Sequence, residues 1–230
     1  MRQGRALARK EGRGLAAQDL MAVVLPPDNR PDAEIEVTAW HEAGHTLVAR
    51  LLGIEVDMVS LVANGSAAGV TRAAGLSAFP NRREVENYVA MLMAGRAADE
   101  MMGARGAHAG AQQDLAIAVE LLSCANSEWG LFGVLGPKLH ETEALSELIE
   151  SQLQAAVKRC HQLIGTNRRA ILALAKALRR QRILSGDEVE AILRPHLKAE
   201  PLQEGEASLV NGDESSARSD AGEGRNGTLG

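Results

Sequence analysis

His41-Glu42-Ala43-Gly44-His45 lies inside a pattern that predicts an amphipathic helix over roughly residues 31–52. Pro31, followed by acidic residues, is typical of a first helical turn. The apolar residues after it recur at helical spacing until Gly53; they are Trp40, Ala43, Leu47 and Leu51, joined by Gly44 and Val48. The two histidines are four residues apart, so they lie on one face of this helix, about 6 Å from each other.

Two imidazoles at this spacing can bind one zinc ion, and the glutamate between them can reach a water on the same metal. The H-E-x-x-H pattern is typical of zinc metalloproteases, in which the glutamate acts as a general base. The alternative is a helix with one histidine in the core and one at the surface. The well-formed helix around the motif favours the metal, so we predict His41 and His45 as zinc ligands and Glu42 as the catalytic base.

The composition predicts a mainly α fold. A chain of 230 residues is long enough for one domain of fair size with appendages. Aromatic residues make up only 2% of it, whereas alanine, leucine and glycine are abundant, which favours helices packed through small residues. The net charge of −5 gives no reason to expect nucleic-acid binding.

A small β-hairpin or sheet is predicted directly after the first helix. Residues 56–63 are rich in β-branched and apolar side chains, Asn64-Gly65 is typical of a turn, and residues 68–73 can form a second strand. The rest of the domain is predicted to be helical over residues 81–103 with Asn81 as N-cap, 111–127, 143–165, from 167 onward, and after a capping box at Ser185-x-x-Glu188.

We expect residues 29–197 to form the domain. Residues 1–28 comprise a basic stretch and a short amphipathic helix over residues 14–25, and residues 198–230 form an acidic tail expected to be disordered. Cys124 and Cys160 fall within helical patterns, and buried free thiols suit a reducing compartment. Since no apolar run has the length of a membrane span or the form of a signal peptide, we expect a cytoplasmic location.

The third zinc ligand is left open by the residues alone. A catalytic zinc normally has three protein ligands and a water, and the extended metzincin signature is excluded because Val48 and Leu51 occupy its glycine and third histidine positions. Asp114 and His108 flank a glycine-rich turn, but Asp114 is equally an ordinary first-turn acid that favours the helix dipole. The candidates are Asp99, Glu100, His108, Asp114, Glu120, His140 and His161.

The run from Thr38 to about Pro137 resembles the peptidase domain of the FtsH-type AAA+ zinc proteases. Five matching stretches keep their order and spacing over roughly 100 residues. They are Ala39-Trp40-His41-Glu42-Ala43-Gly44-His45-Thr46-Leu47-Val48; Val59-Ser60-Leu61 with Ala68-Gly69-Val70-Thr71; Ala94-Gly95-Arg96-Ala97-Ala98-Asp99-Glu100; Gly110-Ala111-Gln112-Gln113-Asp114-Leu115; and Trp129-Gly130-Leu131-Phe132 with Leu135-Gly136-Pro137.

This resemblance implies a helical zinc-peptidase domain with Asp114 as the third ligand. It also implies that the predicted strand over residues 56–63 lies near the cleft, where Val59, Ser60 and Leu61 could pair with an extended peptide. Two departures stand out: Ala94 replaces a usual glycine, and His108-Ala109 replaces usual threonines, so His108 could compete for the metal or tune it.

Proteins of this family usually carry membrane helices and an ATPase module before the peptidase. None of the five lysines here follows a glycine, so the chain has no phosphate loop, although residues 1–25 resemble the last helices of an AAA+ lid. The resemblance therefore implies a zinc metalloendopeptidase acting on unfolded polypeptides, with an AAA+ ATPase module in trans and a homo-hexameric assembly. The alternatives are a zinc-binding scaffold or regulatory subunit of an AAA+ complex, and a short-peptide or amide hydrolase.

Overall fold

The computed structural model describes residues 28–63, 68–103, 106–133 and 143–197, together with residues 5, 6, 9, 10, 12 and 14. The predicted Asn64-Gly65 turn, nearly all of the predicted helix over residues 14–25 and the acidic tail lie outside the described residues. Within the described ranges, no helix combines the length and the apolar character needed to cross a lipid bilayer.

The fold is mainly α with a small antiparallel sheet, as predicted from the composition and the periodicity. Two early strands and a 3₁₀ turn (Ala109–Ala111) interrupt the helices. In chain order the elements are α1 (Asp32–Leu51), β1 (Val56–Ser60), β2 (Val70–Ala73), α2 (Arg82–Met102), α3 (Gln112–Ser127), α4 (Glu143–Thr166), α5 (Arg168–Gln181), β3 (Ile183–Ser185) and α6 (Gly186–Leu193).

Two helix starts follow directly from local sequence. The Asn81 side chain accepts a hydrogen bond from the Glu84 backbone N–H, and the Glu84 carboxylate accepts one from the Asn81 N–H. Ser185 and Glu188 form the same reciprocal pair at the start of α6. Both predicted caps are confirmed, because each depends only on residues three apart.

The sheet has the order β2-β1-β3, so β1 is its central strand. β1 pairs antiparallel with β2 through Val59 opposite Thr71, and with β3 through Val59 opposite Leu184. β3 is only three residues long and is not predicted from the sequence. A left-handed residue, Arg182 at φ 69°, ends α5 and turns the chain into β3, and its carbonyl accepts a hydrogen bond from the Leu61 N–H at 2.7 Å.

α1 packs against both α2 and α5, and α2 packs in turn against α3 and α4. The contact between α1 and α2 is close because Gly44 has no side chain. A Cβ on Gly44 would lie 2.5 Å from the Ala94 carbonyl oxygen and 2.6 Å from the Ala98 Cβ. Neither neighbour is the end of a flexible side chain, so this crossing excludes even alanine at position 44.

Candidate metal centre

Three ligand-type atoms from two helices converge beside the α1–α2 contact. His41 and His45 are buried on one face of α1, and Asp114 lies in the first turn of α3 with its side chain 24% exposed. The His41 and His45 Nε2 atoms are 3.1 Å apart, and the Asp114 Oδ2 lies 3.4 Å from the first and 3.3 Å from the second.

These separations have the dimensions of a zinc site. Ligand atoms about 2.0–2.1 Å from a tetrahedral zinc are separated from one another by roughly 3.3–3.4 Å. The three observed edges of 3.1, 3.3 and 3.4 Å agree with that figure. Two imidazole nitrogens and one carboxylate oxygen are also a donor set that zinc accepts, and they leave a fourth position open.

The opposite nitrogen of each histidine is held by α2. The His41 Nδ1–H donates to the Asp99 Oδ2 at 2.9 Å, and the His45 Nδ1–H donates to the Met91 carbonyl at 2.8 Å. A proton fixed on Nδ1 leaves the Nε2 lone pair available, which is the usual role of such partners around metal-binding histidines. The two hydrogen bonds therefore orient both rings toward one point.

The electrostatic environment of this point favours positive charge. Burial lowers the pKa of His41, but hydrogen bonds with Asp114 and Asp99 outweigh burial and raise the pKa from 6.5 to about 10. Burial raises the pKa of Asp114, but hydrogen bonds with His41 and His45 outweigh it and hold that pKa below its ordinary value. A dication would satisfy the same carboxylates, so the donor set and its charge fit zinc.

Glu42 faces the same pocket under a neighbouring strand. Its carboxylate Oε2 accepts a hydrogen bond from the Thr71 hydroxyl of β2 at 2.7 Å, and burial raises the pKa of the carboxyl group. A Cβ on Gly69 would lie 2.8 Å from the Glu42 Oε1, so the chain entering β2 passes directly over the carboxylate. The pocket has a volume of about 620 Å³ and is lined by α1, β2, α2 and the start of α3.

A second glycine brings α2 against the histidines. A Cβ on Gly95 would lie 2.6 Å from the His41 Nε2 and closer still to the His45 Nε2. Met91, Gly95 and Asp99 are spaced four residues apart, so one face of α2 supplies the carbonyl, the open space and the carboxylate. From the sequence, Asp99 is only a candidate ligand and Gly95 has no predicted role. The reason is that only the fold shows which face of α2 packs against α1.

Several other predicted site residues lie outside the pocket. Val59 and Ser60 of the central strand β1, and Leu61 directly after it, are buried and do not line the pocket, whereas β2 does. Glu100 pairs with His161 of α4 at 3.0 Å, and Glu120 is exposed on α3. His140 lies outside the described residues.

Comparison with known proteins gives the family. Residues 30–149, just over half of the chain, match the model of peptidase family M41. This chain belongs to peptidase family M41. The resemblance to the FtsH-type peptidase domain is thereby confirmed.

Several family members are similar to most of this chain. The ATP-dependent zinc metalloprotease FtsH of Pelobacter propionicus is 32% identical over 187 residues, which cover 70% of this chain and 30% of that protein. FtsH 1 of Bdellovibrio bacteriovorus is 29% identical and matches 74% of this chain, and FtsH 1 of Sphaerobacter thermophilus is 27% identical and matches 83%. The chain spans about a third of the length of these curated relatives.

We expect the Gly95→Ala substitution to prevent zinc binding, because a methyl group there would occupy the space of both Nε2 atoms. The affinity for zinc should fall by at least the roughly 10–100-fold typical of a disturbed ligand environment. Competition with a chromogenic chelator measures it. The matched control is Gly165→Ala on α4, where the nearest atom would be 3.6 Å away, so zinc binding should be unchanged. Parent-like affinity in the Gly95→Ala variant would contradict the geometry.

Proposed function

We propose that this chain is a zinc-dependent metalloendopeptidase that cleaves unfolded polypeptides, and that it acts as the peptidase part of an ATP-dependent protease. The observation that carries the proposal is the convergence of the His41 Nε2, His45 Nε2 and Asp114 Oδ2 within 3.4 Å of one another, with the Glu42 carboxylate lining the same pocket. The zinc metalloproteases among its relatives support the same conclusion.

His41, His45 and Asp114 would hold the zinc. When bound, zinc supplies a Lewis acid that polarises a carbonyl and lowers the pKa of a coordinated water toward neutrality. Asp99 and the Met91 carbonyl keep the two histidine rings in the tautomer that binds through Nε2. Glu42 would then transfer the proton.

Glu42 is suited to accept a proton from the attacking water and to deliver it to the leaving amine. Burial raises the pKa of its carboxyl group, which makes the carboxylate a stronger base than an exposed glutamate. The Thr71 hydroxyl donates to Oε2 and so fixes one carboxylate oxygen, leaving the proton-transfer role to the other. We infer that Thr71 orients the base.

We propose that the polypeptide lies extended along the outer edge of β2. In the part of the chain that the structure describes, β1 is paired on both sides, whereas β2 is paired on one side only. Gly69, Val70 and Thr71 line the pocket, and Val70 is 45% exposed. Backbone pairing at such an edge recognises a polypeptide with little regard to its side chains. This proposal replaces the role expected for Val59, Ser60 and Leu61.

The names of the relatives support an AAA+ ATPase module as the partner of this peptidase domain. The relatives are named ATP-dependent, and this chain corresponds to about a third of their length. We propose that an AAA+ module in trans unfolds the substrates and that this chain supplies the hydrolytic site. The homo-hexamer and the cytoplasmic location stay predictions.

The Glu42→Gln substitution tests the mechanism. We expect casein cleavage to fall by about 10²–10⁴-fold, because glutamine cannot accept the proton, while zinc content stays at the parent level. Casein fragments are quantified by gel and zinc by atomic emission, with the chain alone and with an AAA+ partner. Cleavage by the Glu42→Gln variant at the parent rate would refute the role of Glu42.

The Asp114→Ala substitution tests the third ligand. Loss of a direct ligand should weaken zinc binding by more than the roughly 10–100-fold that follows loss of an outer partner. Glu120→Ala is the matched control, since Glu120 is an exposed acid of the same helix. If both variants bind zinc as tightly as the parent, Asp114 is not a ligand.

Peptides with methylated backbone nitrogens test the edge of β2 without changing the protein. In a paired strand, alternate N–H groups face the partner, so N-methylation away from the scissile bond should raise KM by about tenfold at every second position. Methylation at the intervening positions should have little effect. The expected result is this period of two in KM; a uniform effect along the peptide would argue against strand pairing.

A further inference from the structure

His108 departs from the family pattern and is held in one orientation. The Gly110 backbone N–H donates to the His108 Nδ1 at 3.0 Å, so the ring proton of a neutral imidazole is on Nε2. That Nε2 lies 3.1 Å from the Asp99 Oδ2, within ion-pair distance of the carboxylate. Asp99 is the carboxylate that accepts the His41 Nδ1–H at 2.9 Å.

The chain makes room for this ring. His108 is the N-cap of the 3₁₀ turn that leads into α3. A Cβ on Gly110 would lie 2.6 Å from the His108 Cε1 and 2.8 Å from its Nδ1, so glycine is needed where the ring lies against the backbone. The same turn continues to Asp114, and therefore the contact between His108 and Asp99 ties the segment that carries Asp114 to α2.

Asp99 has two histidine neighbours. It is 1% exposed, its Oδ2 accepts from His41 and lies 3.1 Å from the His108 Nε2, and its Oδ1 has no hydrogen-bond partner among the described residues. A buried carboxylate is unfavourable unless it is hydrogen-bonded. Without His108, the hydrogen bond from His41 would be the one described polar contact of the Asp99 carboxylate, and Asp99 would be free to turn away from His41.

The position of His108 argues against competition for the metal. Its Nε2 contacts Asp99 on the Nδ1 side of His41, whereas His45 and Asp114 gather on the Nε2 side. His41, Asp99 and His108 do form a second group with the spacing of a metal site. Binding there would require His41 to lose the Nδ1 proton that it donates to the Asp99 Oδ2.

We propose that His108 is a positioning residue: it holds Asp99 against His41 and fastens the Asp114 turn to α2, so that the zinc ligands stay aligned. This inference rests on the zinc site of the proposed function. It assigns to this chain a three-residue relay, His108 to Asp99 to His41.

Two amide variants separate positioning from local turn stability. In His108→Gln the side-chain amide reaches about as far as the His108 Nε2 and can still donate to Asp99. In His108→Asn the amide is too short for Asp99, but its oxygen can still cap the Gly110 N–H. His161→Ala is the matched control, since it removes another half-exposed histidine–carboxylate pair one residue further along α2.

The readouts are the zinc dissociation constant, the visible spectrum of the cobalt-substituted chain and the melting temperature of the metal-free chain. We expect His108→Asn to weaken zinc binding by about 10–100-fold and to alter the cobalt spectrum, and His108→Gln to remain within about threefold of the parent. The melting temperatures of the two metal-free variants should be similar, and His161→Ala should bind zinc like the parent.

Other outcomes would overturn the inference. Parent-like affinity in His108→Asn, equal weakening in both amide variants, or weakening only in His108→Gln would show that His108 acts through the turn or not at all. A parent chain that binds no zinc would refute the metal site of the proposed function itself, and the inference with it. Since the parent is measured first, the two failures are distinguishable.

Discussion

The close contact between α1 and α2 is the constraint on which the rest of the molecule depends. Gly44 removes a side chain that would meet the Ala94 carbonyl, and Gly95 removes one that would meet both histidine rings. A glycine in a helix interior destabilises that helix by roughly 0.5–1 kcal/mol relative to alanine. Two such positions at one crossing indicate that the fold accepts weaker helices in exchange for close approach.

Close approach decides the chemistry because α2 then contacts the histidines with its backbone as well as its side chains. The Met91 carbonyl can orient His45 only if no side chain separates the helices, and Asp99 reaches His41 one turn beyond Gly95. The result is a pair of rings whose Nδ1 atoms are satisfied and whose Nε2 atoms face one point. Asp114, in the first turn of α3, completes the set of three donor atoms.

The sequence could predict those parts of the site that depend on local spacing. His41, Glu42 and His45 share one helix, and the caps at Asn81 and Ser185 involve residues three apart, so periodicity and capping rules suffice. Asp114 is 69 positions beyond His45, a separation that no local rule spans, and only a family resemblance selected it from seven candidates.

The order of the strands could not be predicted from the sequence for the same reason. β3 is separated from β1 by more than 120 residues of chain, and three residues carry too little periodicity to predict a strand. Because β3 pairs with one side of β1 and β2 with the other, the strand predicted to bind the peptide is the central strand of the sheet. The strand at the edge of the pocket is β2 instead. The matching stretch Ala68-Gly69-Val70-Thr71 includes the start of β2, but the sequence alone does not show that this strand has an exposed edge.

The proposed substrate edge and the contact that orients Glu42 lie within residues 69–71, at the start of β2. Thr71 holds the Glu42 carboxylate, Gly69 allows the chain to pass over it, and Val70 between them is exposed toward the pocket. Arg30, which precedes α1, donates to the Ala68 carbonyl at 2.7 Å and to the Leu61 carbonyl, so it fixes both ends of the connection between β1 and β2. A polypeptide paired along β2 would lie within one residue of the contact that orients the base. Substrate binding and proton transfer would then share one rigid support, because any movement of that edge would also move Thr71.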